Sequence, residues 1–309
     1  MPFNEVVLND GNKMPTIAFG TGSKWKGHDV TTLVEQALES GFSHVDTAAV
    51  YQTEQYVATA IRESGLSRSE FFVTTKYSRY TAESLPEGIQ QSLQNLELKQ
   101  VDLYLIHSPM NVPNLQTAWK EMETIQAQGL ARSIGVSNYL LKDLETTMVT
   151  AKVTPAVNQI SLNPYNYTAM KSTIDYCKKH GIVVEAYSSL APITRYPGGP
   201  VDVPLKAAAK RLGITPTQAI FLWLRAKGIV TVTTTSKKDH MEEYLAVGDL
   251  DSLTEEEVLA IDKAGVKGPP SLVRVALRRG YDRATASPTK ALFTLGVASF
   301  MMYQGLRLW

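Results

Sequence analysis

Gly41-Phe42-Ser43-His44-Val45-Asp46-Thr47-Ala48-Ala49-Val50-Tyr51-Gln52-Thr53-Glu54 is the stretch whose reading decides the fold. Just before it, residues 29–40 carry Val30, Leu33, Val34, Ala37 and Leu38 at helical spacing, and Gly41 stands where a helix C-cap belongs. A helix therefore ends at Gly41. Residues 42–45 are short and apolar enough for a buried strand, and Asp46 arrives where that strand runs out. Tyr51 follows five residues later, too soon to have left that end of the sheet. A carboxylate and a phenol thus reach one rim.

Outward from this stretch the same helix-then-strand unit recurs. Helices are expected over 29–40, 53–64, 82–96, 114–128, 140–147, 169–180 and 205–227, the last broken at 213–215. They precede strands expected over 44–46, 71–75, 101–106, 131–136, 156–159, 182–187 and 229–233. With a strand at 17–19 this makes eight, closed by helices at 238–247 and 254–264 and preceded by a small hairpin, 5–8 with 13–15. Strict alternation implies right-handed parallel connections, and eight units of this length suit a closed (β/α)8 TIM barrel.

The strand ends favour closure over an open sheet. Gly20-Thr21-Gly22, Asp46, Lys76, His107-Ser108, Ser137-Asn138, Asn158-Gln159, Tyr187-Ser188 and Thr234-Thr235-Ser236 each stand just past an apolar run. Parallel barrels carry their sites at this C-terminal rim, so closing the sheet gathers these groups into one pocket.

Four of them define a chemistry. Tyr51, with a reference pKa near 10, is a weak acid at neutral pH, and lowering it by roughly two pH units requires about 3 kcal/mol. An ammonium about 4 Å away at an effective dielectric near 20 supplies on the order of 4 kcal/mol, so Lys76 is expected to be sufficient by itself. Asp46 would keep Lys76 charged, and His107 would hold a carbonyl oxygen beside the Tyr51 hydroxyl. No side chain supplies a hydride, so a cofactor must. Tyr187 offers a flat face for a nicotinamide, and Ser137, Asn138 and Gln159 offer groups suited to its carboxamide. Ser188, Leu190, Thr235 and Ser236 would take the diphosphate and ribose.

The runs at 37–51, Thr75-Lys76, Leu105-Ile106-His107-Ser108-Pro109, Gly135-Val136-Ser137-Asn138, Asn158-Gln159 and Ala186-Tyr187-Ser188 resemble the aldo-keto reductases, in that family's order and spacing, over residues 5 to about 265. The resemblance implies a (β/α)8 barrel that transfers a hydride from NADPH to an aldehyde or ketone. It places a catalytic tetrad on Asp46, Tyr51, Lys76 and His107, and adds Thr21, Gly22, Asp46 and Val232 to the cofactor set. The segments 20–25 and 232–236 look most like the fungal branch that reduces keto-amides and keto-esters. One departure concerns the 2'-phosphate. Where many members have a Lys-Ser pair and a later Arg, this chain aligns Thr234-Thr235 and His240, which removes a bidentate grip. Lys237 and Lys238 stand near enough to replace it as point charges, which keeps NADPH ahead of NADH; Glu243 would meet the adenine amino group.

Other residues are weighed against plainer roles. Trp25 and Met110 either line the substrate mouth or have a core or surface-packing role. Trp119 and Met122 read as helix packing, and Cys177 as a small residue of a helix. His44 is assigned to the face opposite Asp46, without a role. Among five histidines no pair has metal-ligand spacing within a helix, so no metal is invoked. Tyr167-x-x-x-Lys171 matches a short-chain dehydrogenase signature, but the glycine-rich cofactor turn of that fold is missing near the N-terminus.

The 309 residues are 44% hydrophobic and 20% charged with net charge +1, which argues against nucleic acid as a partner. A single cysteine excludes an internal disulfide framework, and the start lacks a secretory pattern, so the cytoplasm is the expected compartment. Residues 1–268 read as the barrel and 269–309 as a tail with six basic residues against Asp282 alone. From 291 to 306 no charge appears for sixteen residues. That run either folds over the barrel mouth, associates with a membrane, or forms an oligomer contact. The expected function is a carbonyl reductase acting on a small molecule; the alternative is a dinucleotide-binding sensor barrel with little turnover.

Overall fold

The computed structural model describes residues 5–271 together with Val273, Val275 and Ala276. An antiparallel hairpin, β1 (Glu5–Val7) and β2 (Lys13–Pro15), precedes eight parallel strands. These are β3 (Ile17–Gly20), β4 (His44–Asp46), β5 (Phe72–Tyr77), β6 (Val101–Ile106), β7 (Ala131–Ser137), β8 (Val157–Ser161), β9 (Val183–Tyr187) and β10 (Val230–Thr233). They pair in chain order, and β10 returns to β3 with Thr231 opposite Ile17, so the sheet closes into a barrel. Each barrel strand expected from the sequence is present, with boundaries within two residues.

The helices pack outside. They are α1 (Thr31–Ser40), α2 (Glu54–Ser64), α3 (Leu85–Asn95), α4 (Leu115–Ala127), α5 (Leu141–Met148), α6 (Tyr167–Lys179), α7 (Ala191–Thr194), α8 (Asp202–Leu212), α9 (Pro216–Ala226), α10 (Lys238–Leu245) and α11 (Glu255–Gly265). Gly41 caps α1 in the left-handed region at φ 111°, as its position implied. The break at 213–215 separates α8 from α9, where Thr215 forms a capping box with Gln218 ahead of Pro216. Trp119 and Met122 are fully buried on α4, as helix packing requires.

Inside the barrel the two-residue strand period sorts side chains into layers. Leu8 and Met14 of the hairpin close the bottom against Phe72, Leu103, Leu105, Val157 and Val230. Gly135 lets β7 approach β8, since a Cβ there would stand 2.5 Å from the Val157 carbonyl oxygen. Above this apolar plug the interior turns polar.

His44 corrects the sequence reading. Two residues along a strand is one full pleat, so His44 faces inward with Asp46, not away from it. It is fully buried, with Nδ1 3.4 Å from the Pro15 carbonyl oxygen and Nε2 2.8 Å from Thr74 Oγ1. A carbonyl only accepts, so Nδ1 carries the proton and the Thr74 hydroxyl donates to Nε2. Burial pushes the imidazole down to about 4.

Most of the expected tail, including the apolar run at 291–306, lies outside the described residues. Among the described residues no helix is long and apolar enough to cross a membrane.

Candidate active site

The C-terminal rim encloses a cavity of about 560 Å³. Asp46, at the last position of β4, lines the cavity, and Lys76, on β5, is buried against Asp46. Lys76 is fully buried, and its ammonium donates to both Asp46 oxygens at 2.7 Å and to the Thr47 carbonyl at 2.9 Å. Its three protons are thereby all engaged. Desolvation pulls the ammonium pKa down, but the adjacent Asp46 charge, Tyr51 and the hydrogen bond outweigh it, and the net direction is up.

Tyr51 closes a single 3-10 turn, Ala49–Tyr51, that folds back over the pocket. Gly22 makes room for it: a Cβ there would stand 2.8 Å from Tyr51 Cε2. The hydroxyl lies 3.5 Å from His107 Nε2, and the rings meet edge to face at 5.4 Å. The Lys76 ammonium is 5.3 Å from the phenol ring centre, and Lys26, on the rim, is 4.9 Å from it.

The field at Tyr51 differs from the expectation that Lys76 alone would lower it. Burial raises the phenol pKa, Lys76 draws it down, Asp46 raises it again, and the net direction is up. Burial outweighs the pull of the Lys76 ammonium, which Asp46 offsets only in part. Tyr51 therefore rests protonated. His107 is held neutral: burial first, then the charges of Lys76 and Lys26, push its imidazole down to about 3.

Gln159 reaches across the barrel. Its Nε2 donates to Asp46 Oδ2 at 2.7 Å and to Glu185 Oε2 at 3.0 Å. Two carboxylates on the amide nitrogen leave the amide oxygen as the group free to accept from a ligand. Asn138 is already engaged: its Nδ2 donates to the His107 carbonyl at 2.9 Å, and its Oδ1 accepts from the Tyr187 hydroxyl at 2.7 Å. It thus holds Tyr187 and the His107 backbone in place. Ser137 Oγ donates to the Gln159 carbonyl at 2.8 Å. Asn158, the neighbour of Gln159, points outward to the Tyr139 carbonyl.

Gly22, Asp46, Tyr51, His107, Ser137, Asn138, Gln159, Tyr187, Ser188, Leu190, Val232 and Thr234 line the cavity. Asn138 and Ser188, at φ 61° and 58°, turn the chain sharply as it leaves β7 and β9. Other expected site residues stand apart from its wall. Thr21 is buried, bonded to Thr53 Oγ1 at 2.9 Å. Trp25 packs half-buried against the core, and Met110 is 77% exposed on a short turn. Thr235 and His240 pair at 3.4 Å, with Ser236 exposed next to them. Glu243 accepts from the Thr215 hydroxyl at the start of α9, which leaves one carboxylate oxygen for the adenine role expected of it.

Sequence reading missed several wall residues, among them Lys26, Thr194, Arg195, Phe221 and Tyr244. Arg195 follows α7, a four-residue helix too short for periodicity to reveal. Outside the cavity, Tyr167 packs edge to face on Trp223 and Lys171 pairs with Asp175 on the exposed side of α6, so the dehydrogenase-like signature is structural. Cys177 is buried and pushed up to about 11, as an inert thiol should be. Among the described residues no cluster of His, Cys, Asp or Glu could hold a metal ion.

The pocket suits a dinucleotide. Its flat Tyr187 face, the accepting oxygen of Gln159 and Arg195 on the wall match nicotinamide, carboxamide and phosphate respectively. Thr234 Oγ1 is buried at the wall without a hydrogen-bond partner, a group that a ligand would satisfy.

Residues 16–197 match the aldo/keto reductase family. The NAD/NADP-dependent indole-3-acetaldehyde reductase of Schizosaccharomyces pombe is 37% identical over 84% of this chain and 93% of that protein. The NADPH-dependent alpha-keto amide reductase of Saccharomyces cerevisiae is 34% identical, over 85% and 91%. Among solved structures, the Bombyx mori aldo-keto reductase in complex with NADP superposes with a TM-score of 0.75 at 33% identity, covering 84% of this chain and 92% of that one. The aldo/keto reductase from Brucella melitensis does so at 0.76 and 31%, over 85% and 99%.

Proposed function

The chain belongs to the aldo/keto reductase family, and from that premise we propose that it is an NADPH-dependent reductase of small aldehydes and ketones, α-keto amides and esters included. The observation that carries this reading is the Tyr51 hydroxyl beside a neutral His107, over a buried Lys76–Asp46 pair, in the lining of a cavity suited to a dinucleotide. The bound nicotinamide would supply the hydride that the carbonyl carbon accepts. Tyr187, Gln159 and Ser137 would hold that ring, with Ser188, Leu190, Arg195 and Thr234 along the remainder of the dinucleotide.

The chain's own residues handle the oxygen. A carbonyl placed between Tyr51 Oη and His107 Nε2 accepts hydrogen bonds from both, because a neutral imidazole donates from one nitrogen. As hydride reaches carbon the oxygen becomes an alkoxide, far more basic than a phenol. Tyr51 gives it a proton even though its own pKa is not lowered. The resulting tyrosinate lies beside Lys76, whose charge stabilises it until solvent returns the proton.

The test is Tyr51→Phe in the full chain, with NADPH and NADH titrated by fluorescence quenching and turnover followed on an α-keto ester. Turnover should fall by roughly 10²–10⁴ while cofactor affinity stays within about twofold. Unchanged turnover would favour the sensor barrel, and binding of neither dinucleotide would remove the proposal.

A further inference from the structure

Glu185 belongs to none of the roles above. It lies on β9 two residues before Tyr187, so it faces the barrel interior one layer beneath the ring on which a nicotinamide would rest. It is fully buried. One oxygen accepts from Gln159 at 3.0 Å; the other, Oε1, has no hydrogen-bond partner. An ionised carboxylate in that state would be costly, whereas a protonated one leaves only a neutral group unpaired.

The surrounding charges point the same way. Asp46 of β4 and Lys76 of β5 are the charged groups that act on Glu185; their formal charges sum to zero, but the carboxylate raises the Glu185 carboxyl more than the ammonium lowers it. Gln159 of β8 joins Glu185 to Asp46 without charge. On the other flank β10 brings Val230 and Thr231, neither of which titrates. The group of three is therefore neutral when Glu185 holds a proton and carries one negative charge when it does not.

We infer that Glu185 is a proton store matched to the redox state of the nicotinamide: a cationic, oxidised ring bound above it drives the proton off, and a neutral, reduced ring leaves it in place. The inference rests on the dinucleotide reading given above. Burial, then the Asp46 charge, push this carboxyl up to about 7, so the exchange falls within the working range of pH. Proton affinity and ligand charge are linked, so each must bias the other.

The experiment is calorimetry on the full chain at pH 7, with oxidised and reduced dinucleotide titrated separately in two buffers of different ionisation enthalpy. The oxidised form should release a few tenths of a proton more than the reduced form, since a group titrating near 7 is about half protonated there. The 2'-phosphate, common to both, cancels in the difference. Glu185→Gln should abolish the difference. A second readout needs no variant: the ratio of the two dissociation constants should move up to about tenfold toward the oxidised form between pH 6 and 8. An equal difference in Glu185→Gln, or a ratio flat with pH, overturns the inference while leaving the reductase reading intact. Binding of neither form overturns both.

Discussion

His44 should make the protein lose stability in mild acid, by an amount that follows from its surroundings. Folded, its imidazole sits at about 4 because burial opposes its charge; unfolded, it returns to 6.5. Between those values the unfolded chain binds a proton that the folded chain does not, so stability falls as pH drops from about 6.5 and levels off below about 4. At about 1.4 kcal/mol per pH unit, the interval from 6.5 to about 4 comes to roughly 3 kcal/mol. His44→Gln provides the comparison, because an amide can donate to the Pro15 carbonyl and accept from Thr74 without titrating. The assay is urea unfolding of both proteins at half-unit steps from pH 7 to 4. Glu185 acts with the opposite sign: its folded pKa is raised, from 4.5 to about 7, so its contribution is present below 4.5 and is lost as pH rises through 7. That contribution is common to both proteins and drops out of their difference. The stability of His44→Gln relative to the native chain should rise by roughly 3 kcal/mol on going from pH 7 to 4. Parallel curves would refute the reasoning and mean that His44 is solvated or already charged in the fold.

Two further outcomes are expected. Gly135→Ala should lower the thermal midpoint by several degrees and destabilise by about 1–3 kcal/mol, because the new methyl would meet the rigid Val157 carbonyl at 2.5 Å; calorimetric melting checks it. Replacing both Lys237 and Lys238 by Met should weaken NADPH binding by about tenfold and leave NADH unchanged, if these exposed ammoniums serve the 2'-phosphate in place of an Arg. Fluorescence titration of both dinucleotides at two salt concentrations decides it.

Much of the site was legible because of how barrels are built. A strand that ends in a polar residue delivers it to the rim wherever the sheet closes, so Asp46, Lys76, His107 and Gln159 could be placed together from spacing alone. The strand boundaries followed from short apolar runs bounded by turn residues, and Gly41 marked the end of α1 because only glycine adopts φ 111° without strain. These are local properties, carried by a few neighbouring residues.

What spacing does not carry is how distant groups divide charge and hydrogen bonds once they meet. Gln159 binds Asp46 across 113 residues of chain, and Asn138 turns out to support Tyr187 rather than stand free. Tyr51 is raised, not lowered, because burial of the phenol outweighs the Lys76 charge, which Asp46 also partly offsets. The sequence by itself determined the eight-unit alternation, the rim on which the chemistry collects and the residue types that meet there, since each depends on local periodicity. Only the tertiary structure decided the field inside the pocket and the isolation of Glu185, since both are sums over groups that closure of the barrel brings within a few ångströms.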